Sequence, residues 1–255
     1  MVKMIKPITH HRYPMTEFTS LLKFGENRGV EIYLVGGCLR DQLLHRVPDD
    51  WDFIVEGEGI PFARGFAQEI GGRFLILDEE IGEGRVIQQQ SSAVNNHRSA
   101  AVYDFIGLKG KPLEKELERR DFRINAMAIR LRDFLKHEAR SVKEPDSGSF
   151  VLPVSRCIID LFEGRKDLQG NKIRLIREDG FERDPLRILR AFRFACHLDF
   201  EIPEEILEKM EFASGGLKKI APERIHSEIF SILSSPNSSQ NWRRCEESLR
   251  GKQRD

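Results

Sequence analysis

Apolar positions follow two regimes along this chain. In the first half, short alternating or continuous apolar runs are interleaved with helix-spaced stretches; in the second half helix spacing dominates. Met15 to Arg28 carries apolar residues at helical spacing, and EIYLV (31–35) has the β-branched and aromatic content of a strand. Gly36 and Gly37 interrupt the run. Cys38 to His45 resumes with Leu39, Leu43 and Leu44 at helical spacing, Val47-Pro48 breaks it, and Trp51 to Val55 reads as another strand. Pro61 to Ile70 predicts a helix, followed by strand candidates at 73–77, 85–89 and 100–106, the last two separated by a polar loop, QQSSAVNNHRS. From Leu113 the pattern reads as helical through RRDFRINAMAI. KHEARSVKEPDSGSFVLPVSR is charged and aperiodic and predicts a linker or surface insertion. Beyond it, 185–197, 204–212 and 222–233 all predict helices.

The pattern therefore predicts a head of strands and helices over 1–157, then an α-helical part over 158–255. The last stretch, SSPNSSQNWRRCEESLRGKQRD, is polar and carries no packing signal, so the expectation is a chain cut short.

Composition narrows this picture. With 41 basic and 41 acidic side chains in 255 residues the net charge is zero, so any nucleotide or RNA site must be a local cluster rather than a global field. No apolar run has the length of a membrane span, and the N-terminal MVKMIKPITHHRYP lacks the apolar centre of a signal peptide; a cytoplasmic protein with no membrane partner is expected. Cysteines 38, 157, 196 and 245 include no CxxC and are read as reduced and structural.

The candidate chemistry begins in VGGCLRDQLLHRVPDDWDF. On a strand, Asp50 and Asp52 would share one face roughly 6–7 Å apart. Paired carboxylates suit Mg²⁺, a hard ion that bridges to substrate phosphates, and a two-metal site would activate an attacking oxygen and neutralise a leaving pyrophosphate. A lone DxD describes a polar strand start equally well. Gly36 and Gly37 alter that balance, because they follow a strand and open a helix, where free N–H groups favour a phosphate and the absence of Cβ atoms lets it approach. Arg40, one turn on, brings a planar fork of donors to the same phosphates. Asp104 in AAVYDFIG alternates with Val102 and Ile106, so as a charge on an inner strand it would need a partner or a metal; on an edge strand it would need neither.

From Pro185 at 100° per residue, Arg187 and Arg190 fall about 60° apart on one side of a helix, with Ile188, Leu189, Phe192 and Ala195 on the other. Asp184 directly before Pro185 also reads as a helix N-cap. Phe192 and Phe194 read as packing residues.

LVGGCLRD followed by DDWDF, with ERRDFRINAMAI, DLFEGRKDLQGNKIRLI and RDPLRILRAFRFACHL in that order, resembles the class II tRNA nucleotidyltransferase and bacterial poly(A) polymerase family, within the polymerase-β-like nucleotidyltransferases, over about residues 31–230. The resemblance implies an α+β fold, a head with a mixed sheet and helices followed by an α-helical neck. It implies that Gly36, Gly37 and Arg40 hold a nucleoside triphosphate and that Asp50 and Asp52 bind catalytic Mg²⁺, with Asp104 as a third acidic position. It implies that Arg120 contacts nucleotide, that Asp121 senses the ribose 2′-hydroxyl, and that Asp184 and Arg187 read the edge of CTP or ATP in place of a template, assisted by Arg190. Geometry permits this, since a carboxylate accepts from a base amino group and a guanidinium donates to ring nitrogen or carbonyl oxygen. The implied partners are ATP, CTP and the 3′ end of tRNA or another RNA. The implied reaction is attack of the RNA 3′-hydroxyl on the α-phosphate with release of pyrophosphate.

Three departures stand out: Arg183 where the family has an acidic residue, Leu161 where it has proline, and a chain that ends after the neck, without the family's further helical domains or an HD dipeptide. The alternatives are CC-only or A-only addition, poly(A) synthesis, and a truncated paralogue that binds nucleotide or RNA without turnover.

Overall fold

A computed structural model of the protein describes residues 15–91, 98–141 and 157–235. Of the loop expected over 89–99, residues 89–91 and 98–99 lie in strands and 92–97 fall outside the described residues, as do the greater part of the expected linker, Cys245 and the polar C-terminal stretch beyond Ser235. The chain divides into two compact units, residues 1–111 with 128–158 and residues 112–127 with 159–255. The segment carrying ERRDFRINA, read from sequence as part of the head, thus clusters with the later residues.

In the first unit, α1 (Met15–Glu26) precedes β1 (Ile32–Val35), α2 (Gly36–Leu43), β2 (Trp51–Val55), α3 (Gly59–Ile70), β3 (Arg73–Asp78), β4 (Glu83–Ser91) and β5 (Arg98–Gly107). After the excursion into the other unit come β6 (Met127–Arg130) and α5 (Leu131–Ser141). The strands run β3-β4-β5-β2-β1-β6. Only the β2–β5 pair is parallel in that series, so the sheet is mixed and the α+β class is observed.

Period-2 alternation divides this sheet into two chemically different faces. Trp51 and Phe53 on β2 lie opposite Tyr103 and Phe105 on β5, and all four are buried. Phe18 of α1 meets Trp51 and Phe53 edge-on at 4.8 and 5.6 Å, Phe134 of α5 stands 6.0 Å from Phe18, and Phe66 of α3 lies 5.8 Å from Phe105. Such offset and edge contacts are the favoured aromatic geometries. Burying this aromatic face leaves the alternate residues, Asp52 and Asp104, on the other.

Three elements differ from the expectation. MAIR is strand β6, paired with β1, rather than the continuation of a helix. Met127, Ala128 and Ile129 are all buried, and a short uninterrupted apolar run cannot be told from a helix segment by its period. Helix α5 continues into the opening residues of the expected linker. Helix α2 begins at Gly36 itself rather than at Cys38.

Close backbone packing fixes the end of β5. A Cβ on Gly59, at the start of α3, would lie 2.5 Å from the Gly82 carbonyl oxygen and 2.6 Å from the Gly107 nitrogen. Backbone cannot yield as a flexible side chain does, so Gly59→Ala should cost about 2 kcal/mol or more. Thermal melting checks this, with Gly110→Ala as a comparison in which the added methyl meets nothing within 4 Å but the positive φ is strained.

The second unit contains α4 (Leu113–Glu118), a 3-10 turn (Arg123–Asn125), β7 (Ile159–Asp160), α6 (Gly164–Gln169), α7 (Gly180–Arg183), α8 (Leu186–Leu198), α9 (Glu204–Ala213), a second 3-10 segment (Ser214–Lys219) and α10 (Pro222–Leu233). Ile188, Phe192 and Ala195 of α8 are buried as the periodicity requires, while Leu189 is half-buried. Phe194 is also buried and packs edge-on against Phe122 at 5.6 Å. Among the described residues no helix is long and apolar enough to cross a membrane.

Candidate active site

Register brings the first cluster together. Val35 pairs with Asp52, Asp52 with Asp104, and Asp104 with Arg85, giving one row across β1, β2, β5 and β4. Directly after Val35 the chain turns at Gly36, whose φ of 76° suits glycine, and enters α2. The open N-terminal turn of a helix is thereby set beside Asp52. The Cys38 thiol closes the corner, donating to the Val35 carbonyl at 2.9 Å and lying 3.9 Å from that of Asp52. The first N–H groups of α2 have no partner within the helix and carry the positive end of its dipole.

Arg40 is buried and curls back over Gly37, where a Cβ would stand 3.5 Å from Nη2. Its guanidinium donates from Nε and Nη2 to both carboxylate oxygens of Asp41, each at 2.9 Å. Its orientation beside the glycine turn is therefore fixed by a bidentate pair.

The acids occupy unequal surroundings. Asp50 lies in the bend before β2 rather than on the strand, and is exposed; Asp52, on the strand, is half-buried. Although the residue is exposed as a whole, neighbouring atoms crowd solvent from the Asp50 carboxyl; this desolvation, and next the charge of Asp104, hold it above the usual aspartate range, with Arg85 acting the other way. Asp104 is buried on a central strand, so the edge-strand reading fails. The partner that a charge on an inner strand requires is Arg85, whose Nε and Nη2 donate to its two oxygens, both at 2.7 Å. Among the described residues no three His, Cys, Asp or Glu side chains gather as a ready metal centre.

The second unit holds the other candidates. Asp121 is buried and accepts at Oδ1 from the Phe122 N–H (2.7 Å) and Asn125 Nδ2 (3.0 Å), and at Oδ2 from Arg190 Nε (2.8 Å) and Nη2 (2.5 Å). Burial pushes its carboxyl upward, but Arg190 and these hydrogen bonds prevail and hold it below the usual range. Four donors occupy a group with about four acceptor positions, so a ribose contact would have to displace one of them.

Glu228 of α10 lies 2.9 Å from Arg193 and 3.7 Å from Arg190. Arg187 reaches the Arg119 carbonyl through Nη2 at 3.0 Å, and Arg120 is half-buried. Asp184 accepts from the Leu186 N–H at 3.2 Å, a capping contact, and its other oxygen lies 3.9 Å from Arg224. Arg183 turns to Asp179 at 2.6 Å, where Arg177 and Arg183 together hold the Asp179 carboxyl at about 2. Leu161, in the proline position, is half exposed, while Asp160 caps α6 through the Gly164 and Arg165 N–H groups at 2.8 and 2.9 Å.

Arg85, Asn125 and Glu228 escaped the sequence reading. Arg85 alternates with Ile87 in EGRVI, a usable signal only once the β4–β5 register is known. Asn125 and Glu228 act across the fold, and no local pattern marks them.

The sequence matches the family described as Poly A polymerase head domain over residues 32–174, more than half of the chain, and a second family described as a probable RNA and SrmB-binding site of polymerase A over 199–248. It is 36% identical over 210 residues to a CC-adding tRNA nucleotidyltransferase of Geobacter sulfurreducens, covering 82% of this chain and 42% of that one. It is 31% identical over 219 residues to a CCA-adding enzyme of Limosilactobacillus reuteri, covering 83% and 48%. Among solved structures, it is similar to a Thermotoga maritima CCA-adding enzyme complexed with tRNA, with a TM-score of 0.72, 29% identity and coverage of 93% and 52%. A CCA-adding enzyme with ATP gives a TM-score of 0.71 at 28% identity, covering 92% and 51%. The chain spans about half the length of these relatives. By the head-domain match and these identities, the chain belongs to the poly(A) polymerase head-domain family, together with the CC-adding and CCA-adding tRNA nucleotidyltransferases.

Proposed function

We propose that this chain is a template-independent nucleotidyltransferase that adds C and/or A from CTP or ATP to the 3′ end of tRNA and releases pyrophosphate. The register Val35–Asp52 carries the reading, because it sets a phosphate-accepting glycine turn beside the carboxylate pair. Gly36, Gly37 and Arg40 bind and orient the triphosphate. Asp50 and Asp52 hold Mg²⁺: both offer hard oxygen donors, and desolvation first, then the charge of Asp104, already disfavour a bare carboxylate at Asp50. Bound there, Mg²⁺ supplies Lewis-acid stabilisation of the developing phosphate charge.

In the second unit, Asp184 and Arg187 read the base edge, and Arg120 contacts the nucleotide. Arg190 assists, and Asp121 acts through it: its engagement by Arg190 supports a positioning role over the ribose contact implied from sequence. The C-terminal family match supports contact with RNA. A tRNA substrate supports a cytoplasmic setting.

The names of the relatives favour CC or CCA addition, and the head-domain family keeps poly(A) synthesis as the second reading. Single-nucleotide products on tRNA transcripts ending before CCA, after C and after CC, and on unstructured RNA, separate these activities. C addition that stops after two residues would mark a CC-adding enzyme, and extension of unstructured RNA a poly(A) polymerase. No extension of any of these RNAs with Mg²⁺ or Mn²⁺ would sink the enzymatic reading and leave a nucleotide-binding paralogue.

A further inference from the structure

We propose that Arg85 is a positioning residue that keeps Asp104 out of the metal-ligand set, so that the divalent cation is held by Asp50 and Asp52 while Asp104 serves as the buried anchor of a fixed guanidinium. The inference rests on the metal reading of Asp50 and Asp52. Arg85 and Asp104 meet fork to fork, with both N–H···O distances at 2.7 Å and Asp104 only 5% exposed on a central strand. Bidentate charge-assisted pairs of this kind are among the strongest polar contacts and hold both partners in one geometry. A divalent cation taking an Asp104 oxygen would have to sit beside the guanidinium, and at such separations like charges repel in a partly buried site.

The sheet explains why the arginine is there. Asp52 and Asp104 are direct neighbours in the parallel pair, on the same face. Three unopposed carboxylates would repel one another in the absence of metal. Arg85 neutralises the deepest of them and leaves Asp50 and Asp52 to match one divalent ion. In this arrangement Asp104 is no ligand, yet its loss would still disturb the site by releasing Arg85. A variant of Asp104 alone therefore changes the local charge and cannot distinguish a ligand from an anchor.

The charge-neutral double variant Arg85→Gln, Asp104→Asn can. Titrating the whole chain with Mn²⁺ in the absence of nucleotide, followed by electron paramagnetic resonance, should give an affinity within about twofold of the parent for the double variant. Asp52→Asn should weaken binding by about tenfold or more, as expected for loss of a ligand. Arg85→Gln alone should tighten Mn²⁺ binding about threefold or more by unmasking a third carboxylate, a gain that a merely structural role would not produce. A double variant weakened as much as Asp52→Asn overturns the assignment, and so does an Arg85→Gln variant that binds more weakly. Unchanged binding in Asp52→Asn overturns the underlying metal reading instead. If the double variant does not fold, a crystal structure of the parent chain soaked with Mn²⁺ decides: the Arg85 fork should remain on Asp104, and an Asp104 oxygen coordinated to Mn²⁺ would overturn the proposal.

Discussion

A variant carrying Asp50→Ala and Asp52→Ala is expected to lose incorporation of labelled CTP and ATP into tRNA lacking its CCA end by on the order of 10³-fold or more, with its fold intact. The two halves of this expectation have different causes. Activity falls because the side chains assigned to the divalent cation are gone, and metal assistance to phosphoryl chemistry is commonly worth several kcal/mol. Stability holds because neither acid anchors the core: Asp50 is exposed and Asp52 half-buried, whereas the buried aromatic face carries the packing. Asp50 even opposes folding to a small extent. A carboxyl whose pKa is raised in the folded state binds its proton more tightly there than in the unfolded chain, so its contribution is lost as pH rises through that range. Thermal melting at neutral pH should therefore show the double alanine variant level with the parent or slightly above it. Incorporation that survives both substitutions would remove the assignment of the site.

What the sequence could reveal follows the range of the interactions concerned. The glycine turn, Arg40 and the acids lie within one stretch, and the strand–turn–helix–strand pattern around them is local, so residue types and spacing suffice to suggest that they belong together. Even there, two details differ: Asp50 falls in the bend before β2 rather than on its face beside Asp52, and α2 starts at Gly36. Arg85 was missed because its partner is fixed by a cross-strand register, and the polar stretch between β4 and β5 leaves that register open at the sequence level. The β6 residues were misread because both faces of that strand are buried, which erases alternation. Asp121 and Arg190 are 69 residues apart, and nothing in RRDFRINA or DPLRILRAF marks each as the other's counter-charge.

That distant pair gives the largest expected effect on stability. Arg190→Met leaves the Asp121 carboxylate buried with only the Phe122 N–H and Asn125 among its present donors, and should cost about 3 kcal/mol, as removal of one partner from a buried ion pair commonly does. For a chain of this size that corresponds to a fall of roughly 6–12 °C in the melting temperature. The pH dependence separates this cause from lost packing. In the parent, Asp121 titrates below its unfolded value of about 4, so its contribution is present above that value and is lost as pH falls through the lower folded one. Without Arg190, burial is the dominant influence, the carboxyl shifts upward, and the variant is favoured by protonation instead. The difference in melting temperature between parent and variant should therefore be widest near neutral pH and narrow as the solution is acidified toward pH 4. A gap that stays constant with pH would mean that Arg190 contributes through its contact with the Phe194 ring rather than by neutralising Asp121. Such a result would also withdraw the role given to Asp121, because a carboxylate that does not depend on Arg190 for its charge has no electrostatic hold on it.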